Sequence, residues 1–286
     1  MNTLLIGEIH PDAKLLLEQN TTLTKITNDH FLQTSSFPEI EAVILRTFTP
    51  LKAVELQKLP KLKYVVICSV GTDNLDLELL KQKNIHLVHC PGTNANSVAE
   101  HTLYLILSLL REDSKKPYAE LKGKTVGVLG FGAIGKLVAK KLQGFDANVL
   151  AFDVIPQDPE IVKQLHTTMV DQETLLKQAE IITVHVPLNK YTEKMVNKNC
   201  FTLIRKNSFF INTSRAEVID EQALINEWKN GKFRGVGVDV CSPQFASQMG
   251  KGNLIITDHC AAQGEDSFRE QCLKPVEEFV KKIKQN

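Results

Sequence analysis

Residues 125–142 read TVGVLGFGAIGKLVAKKL, and this stretch decides the fold. It begins with an apolar run typical of a buried strand, passes through a glycine-rich turn and continues with the spacing of an amphipathic helix. Gly130 permits a tight turn, Gly132 lets the backbone approach a pyrophosphate, and Gly135 allows close packing of helix on strand. Because the first N–H groups of a helix favour negative charge, the stretch predicts a dinucleotide-binding turn.

The next predicted strand supplies a second signal for the same site. Residues 148–153 read NVLAFD and end in Asp153, about 20 residues after the turn. An acidic side chain there bonds the ribose hydroxyls and repels a 2′-phosphate, which favours NAD over NADP. Inside the turn, Ala133 and Ile134 are also predicted to contact the cofactor. The alternative is a glycine turn that only packs a helix in some other α/β protein, and the combined signals disfavour it.

Short runs rich in Val and Ile alternate with amphipathic segments on both sides of this stretch. The main candidate strands are residues 3–7, 41–46, 63–68, 85–90, 181–187, 209–214, 233–240 and 253–259. This alternation is typical of βαβ units, so we predict an α/β protein with two doubly wound parallel sheets in series. A long helix over 96–112 begins near the boundary at Ala95, and a Lys-rich linker follows at 113–124. The segment 266–286 is predicted to be a helix interrupted near Pro275.

The composition is that of an ordinary soluble globular protein. A chain of 286 residues exceeds what one hydrophobic core usually holds, which predicts two domains. With 34 Lys and Arg against 33 Asp and Glu, the net charge of +1 gives no reason to expect nucleic acid as a partner. No signal peptide is readable, and the longest apolar run is too short to span a bilayer. Six scattered cysteines without a CxxC pair indicate reduced thiols, so we predict a cytoplasmic protein with no membrane partner.

Two basic side chains that follow predicted strands are candidates for catalysis. Arg215 follows FFINTS, where an arginine can hold a substrate carboxylate through two hydrogen bonds and polarise an adjacent carbonyl. His259 follows NLIITD and can exchange a proton near neutral pH. Ligands of open α/β sheets bind beyond the carboxyl ends of the strands, so both side chains are expected at one crevice. Taken singly, each also has an ordinary explanation without a catalytic role.

Several motifs together resemble the D-isomer-specific 2-hydroxyacid dehydrogenases over nearly the whole chain. Residues 70–102 are similar to the family's substrate loop and interdomain helix, and residues 121–135 to its nucleotide fingerprint. The segments HVPL, NTSRAEVIDEQALI, GVGVDV and TDHCAA then follow in the family's order between residues 185 and 262. The resemblance implies an NAD-dependent enzyme that acts on a small 2-keto or 2-hydroxy acid.

The resemblance also implies the arrangement of domains. A Rossmann-like NAD-binding domain, residues 95–262, is inserted into a flavodoxin-like substrate-binding domain made of residues 1–94 and 263–286. Such enzymes are usually homodimers joined through the nucleotide-binding domain, so a homodimer is expected here.

Roles for individual residues follow from the matched motifs. Arg215 would bind the substrate carboxylate, helped by backbone amides around Val70 and Gly71. His259 would give its proton to the C2 oxygen, and Asp239 would bond the carboxamide of the nicotinamide. The other residues implied to line the cofactor are Val186, Pro187, Thr213 and Ser214.

One position departs from the family's pattern. The family has a catalytic glutamate five residues after the aspartate that Asp239 matches, and this chain has Gln244 there. An amide oxygen can accept from the ring N–H of His259 and fix its tautomer, but it brings no full charge to stabilise the imidazolium. We therefore expect Gln244 to assist His259 and turnover to improve under acid conditions. Two alternatives stay open: formate-type hydride transfer, and a catalytically weak NAD(H)-binding regulatory or scaffold protein.

Residues near the N-terminus bear on the substrate. The segment AVILRTFT, residues 42–49, resembles the loop of phosphoglycerate and erythronate-4-phosphate dehydrogenases, which implies that Arg46 and Thr47 meet a phosphate. Ser69, just before the VGTDN run, belongs to a stretch that is also similar to the erythronate-phosphate branch. The alternative for Arg46 is a surface or hinge salt bridge.

Three cysteines fall within the matched segments: Cys68, Cys241 and Cys260. Thiolate and imidazole suit zinc, but the spacing is unlike that of a structural zinc site and buried free cysteine is common packing material. No metal is therefore predicted.

Overall fold

The structure is a computed structural model and describes residues 1–111, 118–248 and 253–285. The chain divides into two compact units: Met1–Asn94 with Gly264–Asn286 form the first, and Ala95–Gln263 form the second. The second unit is thus inserted, in sequence, into the first. Residues 113–117 of the predicted linker lie outside the described residues.

The first unit is built on a five-stranded parallel sheet. Its strands are β1 (Asn2–Ile6), β2 (Thr22–Ile26), β3 (Ala42–Leu45), β4 (Tyr64–Ile67) and β5 (His86–His89). Its helices are α1 (Pro11–Asn20), α2 (Asn28–Gln33), α3 (Ala53–Gln57), α4 (Leu77–Gln82) and, after the second unit, α12 (Glu265–Gln285). The strand order is β2-β1-β3-β4-β5, the order of flavodoxin-like folds.

Alternate residues of the first sheet enter two separate cores. Leu4 and Ile6 pack with residues of α2, α3 and α4, whereas Leu5 packs with residues of α1 and α12. Both faces are covered, which is why the central strands β3 and β4 are buried throughout. The edge strand β2 has no fully buried residue, so its sequence TLTKI lacks the apolar run by which the other strands were predicted.

The last helix corrects one expectation. We expected an interruption near Pro275, and α12 instead continues from Glu265 to Gln285 with this proline inside it. Proline removes one backbone hydrogen bond from a helix interior, which costs about 3 kcal/mol. Cys272, Val276 and Phe279 on the same helix are fully buried. Burial of one such large side chain contributes roughly 1.5–3 kcal/mol, so burial on both sides of Pro275 offsets the lost bond.

The second unit is built on a seven-stranded parallel sheet. Its strands are β6 (Thr125–Leu129), β7 (Asn148–Phe152), β8 (Thr167–Met169), β9 (Ile181–Val184), β10 (Ser208–Asn212), β11 (Phe233–Val238) and β12 (Leu254–Ile256). Its α-helices are α5 (Ala95–Arg111), α6 (Ala133–Leu142), α7 (Pro159–Gln164), α8 (Gln172–Gln178), α9 (Lys198–Leu203), α10 (Glu221–Lys229) and α11 (Pro243–Ala246). The order β12-β11-β10-β9-β6-β7-β8 is that of a Rossmann sheet with one further strand. The predicted fold class is confirmed.

Helix α5 packs directly against the glycines of β11, one of the strands that carry the functional residues. A Cβ atom on Gly235 of β11 would lie 3.0 Å from Leu109 Cδ2, and one on Gly237 would lie 3.2 Å from Leu109 Cδ1 and 3.4 Å from Leu105 Cβ. The glycines of the FRGVGV strand therefore make room for α5. As a result, the polar residues on this apolar helix approach the carboxyl end of β11.

Candidate functional site

The strand order of the second sheet reverses between β6 and β9, which lie side by side. Ligands of doubly wound proteins bind at such a switch point, beyond the carboxyl ends of the strands. His185 N donates to Leu129 O at 2.7 Å, and Gly130 N donates to Phe152 O at 2.9 Å. These bonds extend the sheet into the turns after β6 and β9, so the glycine turn and the segment of Val186 and Pro187 lie next to each other.

Each glycine of the turn answers a different physical requirement. Gly130 has φ +93°, and a Cβ there would lie 2.8 Å from the backbone of His185 and from Val186 Cγ1. At Gly135 a Cβ would overlap the carbonyl oxygen of Gly130, so the helix can approach the strand only without a side chain. Apart from its chain neighbours, a Cβ on Gly132 would meet no atom of the described residues within 4 Å. Gly132, at the N-cap of α6, therefore borders open space next to the free N–H groups of the helix.

Asp153 follows β7, and its carboxylate closes on the glycine turn. Oδ2 accepts from Phe131 N at 2.7 Å, and Oδ1 accepts from Ile155 N at 2.9 Å. A carboxylate offers about four lone-pair positions, so this one can also accept from ribose hydroxyls. The open space at Gly132, the N-terminus of α6 and the carboxylate of Asp153 fit the pyrophosphate and ribose of a dinucleotide.

A valine at Gly132 tests this fit. Gly132→Val should fold normally, because its side chain meets open space, but should weaken NADH binding at least tenfold by filling the place of the pyrophosphate. Gly144→Val is the matched control, since Gly144 also borders open space but lies away from the turn. Fluorescence titration with NADH measures both affinities. Equal affinities in the two variants would contradict the assignment.

Behind the turn, His185 anchors the second side of the crevice. Its Nε2 lies 2.9 Å from Thr183 Oγ1 and its Nδ1 3.5 Å from Thr213 Oγ1, which in turn lies 3.0 Å from Thr102 Oγ1. Burial lowers the pKa of His185 to about 3, so the ring is neutral at pH 7. Thr213 is thereby tied both to β9 and, through Thr102, to α5.

The neutral state of His185 makes stability depend on pH. The pKa of a histidine in an unfolded chain is about 6.5, so His185 binds a proton below that pH when the protein is unfolded. In the folded protein it stays neutral until the pH approaches its pKa of about 3. The free energy of unfolding therefore falls as pH drops through this window, by roughly 2 kcal/mol between pH 7 and pH 5 from this residue. His185→Asn should reduce the loss on acidification by about that amount in urea denaturation at the two pH values. An unchanged pH dependence would show that His185 protonates freely in the folded protein.

The turn after β10 carries Arg215. The buried side chain of Asn212 accepts from Ser214 N at 3.0 Å and from Ser214 Oγ at 2.7 Å, and it donates to Arg215 O at 2.9 Å. Arg215 is half-buried, and one of its guanidinium nitrogens donates to Ser214 O at 2.8 Å. Asn212 thus fixes the backbone from which the arginine projects.

The loop after β12 carries His259, and Asp239 holds this loop from both sides of the histidine. The Asp239 carboxylate, 2% exposed, accepts from Thr257 Oγ1 at 2.5 Å, Cys260 N at 2.9 Å and Ala261 N at 3.0 Å. Asp239 O accepts from His259 N at 2.9 Å. These bonds keep His259 at φ +46°, a left-handed conformation uncommon for residues other than glycine.

Arg215, Asp239 and His259 follow three adjacent parallel strands. β10 pairs with β11, and β11 pairs with β12, so the three residues share the carboxyl edge of the sheet. This edge is the one that also carries the glycine turn after β6. Apart from Gln244, the predicted catalytic and cofactor residues of the second unit thus lie along one edge, with a cation, a carboxylate and an imidazole at its far end.

Gln244 has a different neighbour from the one expected. It lies on α11, whose N-cap residue Ser242 donates its N–H to Glu221 on α10 at 3.0 Å. Gln244 is exposed, and its side-chain Nε2 donates to Gln222 Oε1 at 3.1 Å. The anchoring of α11 to α10 therefore directs this amide toward Gln222, and a role for Gln244 beside His259 stays a prediction.

The predicted substrate residues of the first unit surround the ends of β3 and β4. Thr47 N donates to Ser69 Oγ at 3.1 Å, and Val70 O lies 2.8 Å from His89 Nε2. The Arg46 guanidinium carbon lies 5.4 Å from the ring centre of Phe48 and 5.1 Å from that of Phe268. Two aromatic rings thus hold the cation, and within the described ranges Arg46 makes no ion pair with a carboxylate. Gly71 continues the loop after Val70.

A sequence profile of the D-isomer-specific 2-hydroxyacid dehydrogenases, that of their NAD-binding domain, matches residues 93–261. The chain belongs to this family. The glycine turn and Asp153 therefore belong to an NAD-binding domain, and the protein is an NAD-dependent enzyme. The predictions of the family, the cofactor and an enzymatic function are confirmed.

Relatives of this dehydrogenase extend the match over almost the whole chain. The hydroxypyruvate reductase of Thermotoga maritima is 29% identical over 290 residues, which cover 93% of this chain and 94% of that protein. The D-3-phosphoglycerate dehydrogenase of Archaeoglobus fulgidus is 33% identical over 248 residues, 80% of this chain but 47% of that protein. The D-lactate dehydrogenase of Aquifex aeolicus, solved with NAD and lactic acid, superposes with a TM-score of 0.85 at 27% identity, covering 99% of this chain and 96% of that one.

Sequence reasoning missed several residues that shape the dehydrogenase site. His101 on α5 lies 2.9 Å from Thr257 Oγ1 and 3.5 Å from Asp239 Oδ1 through its Nε2. Ser97 Oγ donates to Ala261 O at 2.7 Å. Both belong to the largely apolar helix α5, Ala95–Arg111, and a polar side chain on a helix that must be largely buried was the available signal. None of the helices in the described ranges is long and apolar enough to cross a membrane.

Proposed function

We propose that this dehydrogenase transfers a hydride between NAD and C2 of a small 2-keto or 2-hydroxy acid, with hydroxypyruvate as the first substrate to test. One observation carries the proposal: Arg215 and His259 follow β10 and β12 at one edge of the sheet, and both loops are held by buried polar side chains. The name of the hydroxypyruvate reductase from Thermotoga maritima supports the choice of substrate.

Arg215 is proposed to hold the substrate carboxylate. A guanidinium group presents its donors in a planar fork that matches a carboxylate, so the pair fixes the orientation of the neighbouring C2 carbonyl. The same positive charge favours the negative charge that develops on the C2 oxygen during reduction. Asn212, which holds the turn, acts as a positioning residue. Val70 and Gly71 are proposed to add backbone N–H donors to the carboxylate.

His259 is proposed to move the proton. In reduction it gives a proton to the C2 oxygen, and in oxidation it takes the proton from the C2 hydroxyl. Its backbone is held by Asp239, and Gln244 is proposed to assist it by accepting from the ring N–H, which requires the amide to leave Gln222. Asp239 keeps lone-pair capacity after its three bonds to the loop, and we assign it the carboxamide of the nicotinamide as a further partner.

NAD supplies or accepts the hydride when bound. The chain's own residues bind and orient it: Gly132 leaves room for the pyrophosphate and Asp153 accepts from the ribose. The remaining residues assigned to the cofactor are Gly130, Ala133, Ile134, Gly135, Val186, Pro187, Thr213 and Ser214. Thr213 is held by His185 and Thr102, which limits its movement on cofactor binding.

A phosphorylated 2-keto acid is the second candidate substrate, and Arg46 favours it. Its guanidinium carbon lies 5.4 Å and 5.1 Å from the ring centres of Phe48 and Phe268, and among the described residues its buried Nε has no hydrogen-bond partner. Cation–π attraction to the two rings uses none of the N–H groups, which leaves them for an anion. The absence of a carboxylate partner in the described ranges argues against the salt-bridge alternative. Thr47 and Ser69 are the neighbouring groups assigned to the same anion.

The proposed reaction is tested by measuring NADH oxidation with hydroxypyruvate, glyoxylate, 2-oxoglutarate and phosphohydroxypyruvate, and NAD reduction with formate.

Arg46→Gln should lower kcat/KM for the phosphorylated acid by about 10-fold to 150-fold, because a hydrogen bond to a charged group contributes roughly 1.5–3 kcal/mol. Its kcat/KM for hydroxypyruvate should stay nearly unchanged. Lys61→Gln, which removes a surface cation paired with Glu39, is the matched control.

The outcomes separate the candidates. Equal loss on both substrates would contradict a phosphate role for Arg46. Turnover with formate alone would replace the keto-acid proposal by formate-type hydride transfer.

A homodimer joined through the second unit is also proposed for this dehydrogenase, and light scattering on the purified protein tests it.

A further inference from the structure

Three potential metal ligands of different chemistry meet at the loop after β12, which carries His259 and is called the catalytic loop below. His101 comes from α5, Asp239 follows β11, and Cys260 follows β12. His101 Nε2 or Nδ1, a carboxylate oxygen of Asp239 and Cys260 Sγ all lie within 4.8 Å of one another. His101 Nε2 and Asp239 Oδ1 are 3.5 Å apart. The three residues are 138 and 21 positions apart along the chain, so the spacing of metal ligands in the sequence does not indicate this cluster.

The distances suit a zinc ion after a small adjustment. Zinc binds imidazole nitrogen, carboxylate oxygen and thiolate sulfur at about 2.0–2.3 Å in a tetrahedral arrangement, which places neighbouring ligand atoms roughly 3.3–3.7 Å apart. The His101–Asp239 separation is already in this range. Because all three ligand atoms lie within 4.8 Å of one another, no pair must close by more than about 1 Å, which rotation of the half-buried Cys260 side chain can supply. Three protein ligands leave the fourth position to water.

The surroundings supply the contacts that a bound ion needs around its ligands. Thr257 Oγ1 donates to Asp239 Oδ1 at 2.5 Å, so the oxygen cannot donate its single proton to His101 as well. His101 Nε2–H therefore donates to Thr257 at 2.9 Å, and coordination through Nε2 moves this proton to Nδ1. Asp239 is fixed by two further backbone N–H donors. Such outer contacts orient metal ligands in known sites.

We propose that His101, Asp239 and Cys260 form a zinc site in this dehydrogenase. Binding forms one bond from each side chain to Zn²⁺, and the thiol of Cys260 loses its proton to solvent. The ion joins α5 to the loop that carries His259. If Asp239 also holds the nicotinamide carboxamide, which rests on the proposed function, zinc and NADH compete, and zinc inhibits the enzyme reversibly.

Cobalt reports the site directly. Titration of the untagged, cofactor-free protein with Co²⁺ should produce a near-ultraviolet thiolate-to-cobalt absorption band that saturates at one Co²⁺ per chain. Added Zn²⁺ should abolish this band. Cys260→Ser should lose this band, and His101→Gln should bind Co²⁺ at least tenfold more weakly. Cys241→Ser is the matched control, because Cys241 is also half-buried and only two positions from Asp239 but lies outside the cluster. It should keep both band and affinity.

The result that overturns the site is equally direct. A band that persists in Cys260→Ser, or the absence of any band with no heat of Zn²⁺ binding by calorimetry, excludes coordination by this cluster. NADH fluorescence titration with and without Zn²⁺ tests the competition separately. Weakened NADH binding in the unaltered protein but not in Cys260→Ser supports it. A cobalt band together with unaffected NADH binding keeps the metal site and overturns only the carboxamide role of Asp239.

Discussion

Asparagine in place of His259 is expected to lower kcat for keto-acid reduction by about 10² to 10⁴, the usual contribution of a general acid. Asparagine is the appropriate replacement because it tolerates the left-handed conformation that His259 adopts at φ +46°. The loop should therefore keep its bonds to Asp239, and NADH affinity should stay close to that of the unaltered protein. Stopped-flow measurement of NADH oxidation with saturating substrate gives the rate.

A second histidine provides the control for this experiment. His166 is exposed and has φ +47°, so His166→Asn makes the same chemical change at the same backbone conformation, away from the catalytic loop. Its kcat should not change. Full activity in His259→Asn would remove the histidine from the mechanism.

Gln244→Glu should leave turnover unharmed or move the pH optimum of keto-acid reduction toward higher pH.

Removal of Arg215 is expected to have a comparable effect through substrate binding. Loss of one partner from a buried, hydrogen-bonded charge pair costs about 2–5 kcal/mol, which corresponds to roughly 30-fold to 5,000-fold in kcat/KM. Arg215→Ala should show this loss with every 2-keto acid that the enzyme reduces. Added guanidinium ion should restore part of the activity, because it can occupy the space of the missing group. The kcat/KM of Arg215→Lys should exceed that of Arg215→Ala but stay below that of the unaltered protein, since an ammonium group lacks the planar fork.

Arg205 supplies the matched control. It is exposed and, among the residues that the structure describes, its side chain donates to Gln178 O alone, at 3.4 Å, so Arg205→Ala should leave kcat/KM unchanged. Steady-state kinetics at constant ionic strength separates a specific loss from a general change in charge. If Arg215→Ala lost activity but guanidinium gave no rescue and the substrate KM stayed constant, the carboxylate role would fail.

The nucleotide site could be predicted because its requirements are local in sequence. A GxGxxG turn between a strand and a helix, followed by Asp153 at the next strand end, predicts it from the sequence alone, and both features lie within the matched NAD-binding domain. The structure adds the physical reasons, which are the open space at Gly132 and the contact of Gly130 with the backbone of His185. Edge strands β2 and β8 were harder to recognise because exposed strands carry no continuous apolar run.

Other features depend on packing between distant segments. The approach of His101 to Asp239 follows from the two glycines of β11, which admit α5, and the polar residue at position 101 does not by itself indicate which partner it meets. The partner of Gln244 depends on how α11 is anchored to α10, which its position five residues after Asp239 does not reveal. Continuity of α12 through Pro275 likewise depends on the core that Val276 and Phe279 enter.

The split first unit has a consequence for folding during synthesis. Phe279 and Val276 of α12 fill the same core as Leu5 and Val66, although the whole second unit separates them along the chain. A ribosome must therefore release the complete second unit before the first can cover one face of its sheet. The second unit, contiguous in sequence, is expected to fold first, while the nascent first unit keeps an apolar surface for chaperones to protect.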